Sequence, residues 1–224
     1  MISPSLPENE SARLQSLVEH QLLDTLPEEV YDDITRLAAE ICGTPIAAIN
    51  LVASNRLWPK SIVGFPAESY PRDISFCAHT ILNPGEVLLV PDARYDERFH
   101  NNPNITGDPG VVFYAGVPVQ DAQGRALGSL CVCDTRPREL SDLKLESLKA
   151  LAKLVNTHFQ LRRTQMELEK AHDQVRAAQP ILDVIAMTIG SLQAGLGELE
   201  TRSQLHSLQQ EATALRSVLT LSSE

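Results

Sequence analysis

A seven-residue repeat of aliphatic residues constrains this chain more than any other feature. Leu154, Leu161, Leu168, Val175, Leu182, Ile189 and Leu196 fall at strict heptad spacing. Ala171, Ala178, Ile185, Leu192 and Leu199 follow three residues behind the later members. An a/d seam of this kind predicts a long helix that pairs with a second copy in a parallel coiled coil. From Leu154 to Leu196 it would run about 63 Å. Pro180 interrupts it and predicts a kink or restart, because proline cannot donate to the helix ladder. The heptad phase nevertheless continues across it. Gly190, Gly195 and Gly197 weaken the helix further on, and Leu205, Leu208, Ala212, Leu215 and Leu219 begin a new stripe. This predicts a helical hairpin, two of which would make a four-helix dimer. A single helix lying on its own domain is the other arrangement open.

All ten aromatic residues of the 224 lie at or before Phe159. Compact cores draw on aromatic bulk, so the chain divides into an N-terminal arm over 1–10, a globular domain over 11–160 and a helical extension over 161–224. The net charge of −10 and the lack of a Lys/Arg cluster argue against a nucleic-acid footprint. Four cysteines, only Cys131 and Cys133 close together, form neither a disulfide framework nor a zinc cage. No apolar targeting segment opens the chain, and no apolar run stands out as long enough for a bilayer. The expectation is a reduced, cytoplasmic protein without membrane contact.

Within the globular part, Leu14, Leu17, Val18 and Leu22 predict a first helix. Thr25 and Glu28 stand as a capping box, with Pro27 in the first turn, for a second helix. That helix carries Val30, Ile34, Leu37, Ala38 and Ile41 on one stripe and ends at Gly43. Ile46–Val52 and Leu57–Val63 read as strands, 76–82 as a short helix, and 87–90 as a strand. Residues 91–110 form a long connection of the kind that carries function. Val111–Val119 and Ala126–Cys133 are strands joined by the turn Asp121-Ala122-Gln123-Gly124. After Pro137 the chain becomes helical. The order describes an α+β sandwich around a largely antiparallel sheet.

Several segments together carry a resemblance. They are Leu22-Leu23-Asp24-Thr25 with Pro27-Glu28-Glu29, and Pro71-Arg72-Asp73-Ile74-Ser75-Phe76-Cys77-Ala78-His79. Further on come Val90-Pro91-Asp92-Ala93 with Asp96, Arg98 and Phe99, then Asn102-Pro103. Phe113-Tyr114-Ala115-Gly116-Val117-Pro118 and Leu127-Gly128-Ser129-Leu130-Cys131-Val132-Cys133-Asp134 complete the set. Over roughly residues 10–160 the chain resembles a GAF domain, the small-molecule sensor module of bacterial signalling proteins and cyclic-nucleotide phosphodiesterases. The resemblance implies a six-stranded antiparallel sheet, terminal helices on one face, and a pocket under short helices on the other. It also implies a bacterial sensor protein that acts without catalysis and passes ligand state to a downstream kinase or response regulator. Gly116 and Gly128 leave room for a bound ligand, or for a bulge or tight packing within the sheet.

Asp92, Asp96, Arg98, Phe99 and Asn102 on the long connection, above Phe76 and Tyr114, form the candidate ligand site. Flat rings would support a small polar molecule that Arg and Asp discriminate. A self-stabilised loop is the competing account, with Asp92 capping a turn and Arg98 paired to Asp96 or Asp134. Cys77 and His79 open the short helix, where a thiol can be activated. Cys77 as a small buried hydrophobe, and His79 as a hydrogen-bonding residue at the pocket edge, is the simpler account.

The resemblance suggests three cofactor or redox roles, and the residues support none of them well. The family's bilin-binding members place His directly after the attachment Cys, whereas Ala78 intervenes here. Haem ligation by His79 has no second supporting feature. Free-methionine sulfoxide reductases of this fold use loop cysteines, and 91–110 contains none. The Asn-Lys, Phe and Asp-Glu signature of cyclic-nucleotide binders is missing. Cys131 and Cys133 share a strand face, where core packing explains them better than a metal. Trp58 reads as packing, with a place on the pocket rim the other option. The ligand is left unidentified. Ala171-His172-Asp173-Gln174-Val175 resembles the phosphoacceptor box of histidine kinases. It makes the sensor and dimerisation part of such a kinase the alternative, with His172 the phosphoacceptor, and a thiol redox enzyme a further one.

Overall fold

The computed structural model describes residues 1–66, 69–107, 110–195, 206–211 and 213. The chain divides into two compact units, 1–163 and 164–224. Six strands form one antiparallel sheet in the first unit: β1 (Ile46–Val52), β2 (Arg56–Val63), β3 (Tyr70–Pro71), β4 (Leu88–Val90), β5 (Phe113–Gln120) and β6 (Ala126–Asp134). Their spatial order is β3-β2-β1-β6-β5-β4. The expected α+β architecture with six strands is therefore present. β3 has only two residues and pairs with Arg56 and Leu57 alone, too short for any periodicity to reveal.

The pleat sends alternate residues to opposite faces. One face, with Phe113, Ala115, Val117, Ile49 and Leu130, packs against α1 (Glu10–Glu19), α2 (Glu29–Cys42) and the start of α5 (Asp142–Gly195) through Leu17, Tyr31, Ile34, Leu148, Val155 and Phe159. The other face, with Ala48, Tyr114, Cys131 and Cys133, lies under α3 (Phe76–Thr80) and the long connection.

Three local expectations need correction. In α1 the buried positions are Arg13, Ser16 and Leu17, while Val18 is exposed. This polar face is satisfied over long range. Arg13 donates to the Val52 carbonyl at 2.6 Å, and Ser16 donates to Asp121 at 2.6 Å. Thr25 and Glu28 form no capping box. Thr25 donates to the Leu22 carbonyl, and the Glu28 carboxylate pairs with Lys60 and Arg162. The α2 stripe runs through Tyr31, Ile34, Thr35, Ala38 and Cys42, leaving Leu37 and Ile41 exposed. Gly43 does end α2, at φ +69°, the left-handed conformation that suits glycine.

Helix α5 runs 54 residues with Pro180 inside it and no restart. Leu154, Leu161 and Leu168 are 43%, 51% and 68% exposed. In the second unit a Cβ at Gly190 would lie 3.9 Å from the Gln209 side chain, within the helical stretch 206–211. Leu196, Gly197, Leu199, Leu205, Ala212, Leu215 and Leu219 lie outside the described residues. By length and composition alone, α5 is also apolar enough to cross a membrane, contrary to the expectation that no stretch would be. Gln179, Asp183, Thr188 and Gln193 break the run up, which hid it from inspection.

Candidate functional site

A cavity of about 420 Å³ lies against the second face of the sheet. Ile46, Ala48 and Asn50 of β1, Tyr114 of β5, and Cys131 and Cys133 of β6 form its floor; Phe76 and Cys77 of α3, Tyr70, Phe65 and Val111 enclose it. Asn102 accepts from the Asn104 backbone N–H to cap the four-residue helix α4 (Pro103–Thr106), and Asn104 lines the rim. No described lining residue carries a formal charge.

Phe76 and Tyr114 stack at 4.9 Å with 17° between their planes, and Phe99 stacks behind Phe76 at 4.2 Å. The Tyr114 hydroxyl shares hydrogen bonds with Thr80 at 2.7 Å and Ser129 at 3.3 Å, and donates to Cys77 at 3.6 Å. This ring explains Gly116, where a Cβ would come within 2.2 Å of the Tyr114 hydroxyl. At Gly128 a Cβ would meet the Asn50 carbonyl at 2.0 Å. Both glycines make room for the protein's own packing, not for a ligand.

Asn50 is the one polar side chain in β1, and it is 2% exposed. Its Nδ2 lies 3.4 Å from the Tyr70 hydroxyl, 3.5 Å from Cys77 Sγ and 3.7 Å from Cys131 Sγ. Its Oδ1 has no partner. A buried acceptor left unmade costs about 1–3 kcal/mol, so this carboxamide stands out among the described residues of the sheet. Asn50 was missed from the sequence. A lone amide within the apolar run Ile46–Val52 was the signal that could have found it.

Of the nine predicted binding residues, Phe76, Cys77 and Tyr114 line the cavity; His79, Asp92, Asp96, Arg98, Phe99 and Asn102 do not. The charged members are occupied with one another. Arg94 and Arg98 each donate from the backbone N–H and the guanidinium to the aspartate two residues earlier, Asp92 and Asp96, at 2.6–3.1 Å. This self-bracketing takes Arg and Asp out of the pocket, and Asp134 pairs instead with Arg138. His79 Nε2 meets the Ile2 carbonyl at 3.1 Å, and its ring abuts Phe99 edge-on. Trp58 is half-buried against the helical face.

Cys77 is a small buried side chain, the simpler of the two accounts weighed for it, and the activation set against that account does not arise. A hydrogen bond to Cys131, with complete burial, pushes its thiol well above the ordinary value. Cys131 is raised likewise, first through its hydrogen bond to Cys133. Helix α3 has only five residues, and Ser75 already caps it by accepting from the Ala78 N–H. Protonated thiols are poor nucleophiles. A maleimide or disulfide reagent at pH 7 should therefore label Cys77 in the folded protein at least about tenfold more slowly than in urea-unfolded chain. Equal rates would show an open, ionised thiol. Among the described residues no three His, Cys, Asp or Glu side chains are grouped to hold a metal ion. His172, on α5, is half-buried, with Nε2 shielded and unpartnered; a phosphoacceptor would need that nitrogen open or an Nδ1 route.

A sheet of this order, backed by terminal helices and hollow on its other face, defines an α+β module with a cavity against its sheet. The GAF domain model matches residues 26–159, and the chain belongs to the GAF domain family. It is 39% identical over 156 residues, 69% of its length, to a cyclic di-GMP phosphodiesterase of Pseudomonas aeruginosa, and spans about a quarter, 26%, of that protein. Among solved structures it is similar to the GAF domain of an Acinetobacter phosphoenolpyruvate-protein phosphotransferase (17% identity, 69% of this chain and 94% of that one, TM-score 0.50). It is also similar to the blue-light-absorbing form of the Thermosynechococcus elongatus PixJ GAF domain (15% identity, 73% and 96%, TM-score 0.51). At these identities the likeness is one of fold.

Proposed function

We propose that this chain is a regulatory GAF module of bacterial signal transduction that binds a small molecule and reports its presence through α5 in a homodimer. The observation that carries the reading is the cavity itself: about 420 Å³, within the size of small-molecule sites, with the stacked Phe76 and Tyr114 rings in its lining. No carboxylate, imidazole or cation of the described lining is available for acid–base work, so we read the site as a receptor. Similarity to part of a cyclic di-GMP phosphodiesterase supports a place in signalling. The catalytic activity in that name is not assigned to this chain.

The route outward is physical. α5 begins in the same core as the sheet through Leu148, Val155 and Phe159. Arg162 then holds it to Glu28 and to the carbonyls of His20 and Gln21 at 3.1–3.2 Å. Beyond the core α5 exposes Leu161 and Leu168 at heptad spacing, a seam that suits a second copy. A change in sheet packing on ligand binding would bias how two such helices meet. Native mass spectrometry of protein purified from its own cells should show a dimer with a retained small molecule. Leu161→Glu with Leu168→Glu should give monomers that keep the ligand. A parent that is monomeric at micromolar concentration would remove the dimer, and one that never retains a ligand would remove the receptor.

A further inference from the structure

We infer that Glu28 is the relay between the cavity and α5, a carboxylate shared by Lys60 of the sheet and Arg162 of the helix; this rests on the receptor reading and names the route its output takes. The relay starts at an irregularity in β2. Register with β1 passes from Asn50–Pro59 to Ile49–Ser61, so Lys60 is the extra residue of a β-bulge. A bulge re-aims side chains, and this one turns two neighbours the same way. Lys60 and Ser61 both meet the helical side, where Lys60 reaches Glu28 and Ser61 donates to Asp32 of α2 at 2.6 Å. The next residue, Ile62, lines the cavity on the other side of the sheet. One short stretch of backbone thus joins the cavity wall to the helices.

The second link is the Lys60 ammonium. Its side chain is 0% exposed, and its three donors go to Thr25 Oγ1 at 2.7 Å, the Leu26 carbonyl at 2.9 Å and Glu28 at 2.5 Å. A buried cation gives up its carboxylate only at high cost, so Glu28 follows β2 when that strand shifts. The third link is Arg162. It donates to Glu28 at 3.1 and 3.2 Å, and to the carbonyls of His20 and Gln21 at the end of α1, both at 3.1 Å. A guanidinium there satisfies carbonyls that the helix cannot, and suits its negative end. It also holds Gln21 at φ +47°, the left-handed conformation that glycine usually takes after a helix. Glu28 is the N-cap residue of α2, so Arg162 gathers the end of α1, the start of α2 and α5 into one clasp. Arg162 and Glu28 are 28% and 35% exposed, which makes their pair the half of the relay that can open.

Amide hydrogen exchange, followed by NMR on the full chain, tests the route. The reporters are the N–H groups of His20 and Gln21, bonded at 3.0 Å to the carbonyls of Ser16 and Val18. Arg162→Gln leaves the Lys60–Glu28 pair in place and should speed their exchange at least about tenfold by loosening the clasp locally. Ile62→Ala trims the cavity side and should speed the same two amides at least about threefold. Combined with Arg162→Gln it should add nothing at these amides, because both act through one chain of contacts. Leu88→Ala is the control. It trims the same cavity-side cluster from β4, at the opposite edge of the sheet, and should leave both amides unchanged. Unchanged exchange in Arg162→Gln, an equal effect of Ile62→Ala with and without Arg162, or an equal effect of Leu88→Ala would each overturn the relay. Should Ile62→Ala not fold, Ile62→Val carries the same comparison. None of these outcomes touches the receptor reading, which stands or falls on the small molecule retained in the mass spectrum.

Discussion

Glu10→Gln should destabilise the first unit by about 3–5 kcal/mol, the range for removing one partner of a buried ion pair. Glu10 sits between two guanidiniums. Arg13 donates to it at 2.8 and 2.9 Å, and Arg72 at 2.5 and 3.3 Å. Their side chains are 0% and 7% exposed. The glutamine keeps the shape and removes the negative charge, leaving two covered cations facing each other. Arg13 also holds the Val52 carbonyl and Arg72 the Ala53 carbonyl, so both guanidiniums grip the point where β1 passes into its connection to β2. Arg72 opens the short turn leading into α3, which carries Phe76 and Cys77. The triad therefore ties α1 to the segment that encloses the cavity.

The same carboxylate predicts a pH dependence. Burial pushes the Glu10 pKa up, but hydrogen bonds from Arg13 and Arg72 outweigh it and bring it down from 4.5 to about 2. A depressed folded value means the unfolded chain takes up the proton first as pH falls. The contribution is thus complete above about pH 4.5 and drains away toward pH 2. Urea melts from pH 7 to 2.5 should show the gap between parent and Glu10→Gln shrinking over that window. A gap below 1 kcal/mol at pH 7, or one independent of pH, would contradict the triad's role.

Phe159→Ala should cost about 3–5 kcal/mol, as truncation of a core phenylalanine does. The ring is fully buried, 5.8 Å from Tyr31 and 6.4 Å from His20. It is the last aromatic residue of the chain, and it anchors α5 in the core. Leu154→Ala, on the same helix but 43% exposed, should change the stability of a monomer by under about 1 kcal/mol. Chemical denaturation of the two variants, in a background made monomeric by Leu161→Glu and Leu168→Glu, checks both. Similar losses for the two would show that α5 does not enter the core as described.

The elements read most faithfully from sequence were those whose signals are local. Ile46–Val52 is, apart from Asn50, a run of apolar residues buried on both faces, and it is a central strand. Gly43 stops α2 because only glycine takes its φ cheaply. Phe113 to Val119 alternate as a half-and-half strand must. The candidate site was only partly legible. Phe76, Cys77 and Tyr114 were found because aromatic and sulfur side chains at a helix start and on a strand invite attention. Asp92, Asp96 and Arg98 were drawn to the site by chemistry alone. Their spacing of two residues also suits an aspartate bracketing a nearby arginine, and that nearer partner won.

By itself, the order of residues determined the class of fold, the place of the long helix and the outward heptad stripe, since periodicity is set by backbone geometry. The tertiary structure decided which polar groups are interior. Arg13 and Ser16 are buried against partners far along the chain, the Val52 carbonyl and Asp121, and Asn50 against Tyr70, Cys77 and Cys131. A hydrogen bond has no period, so its distant partner leaves no mark on the local pattern. The buried Asn50 oxygen without a partner likewise comes to light only when the bonds around it have been counted.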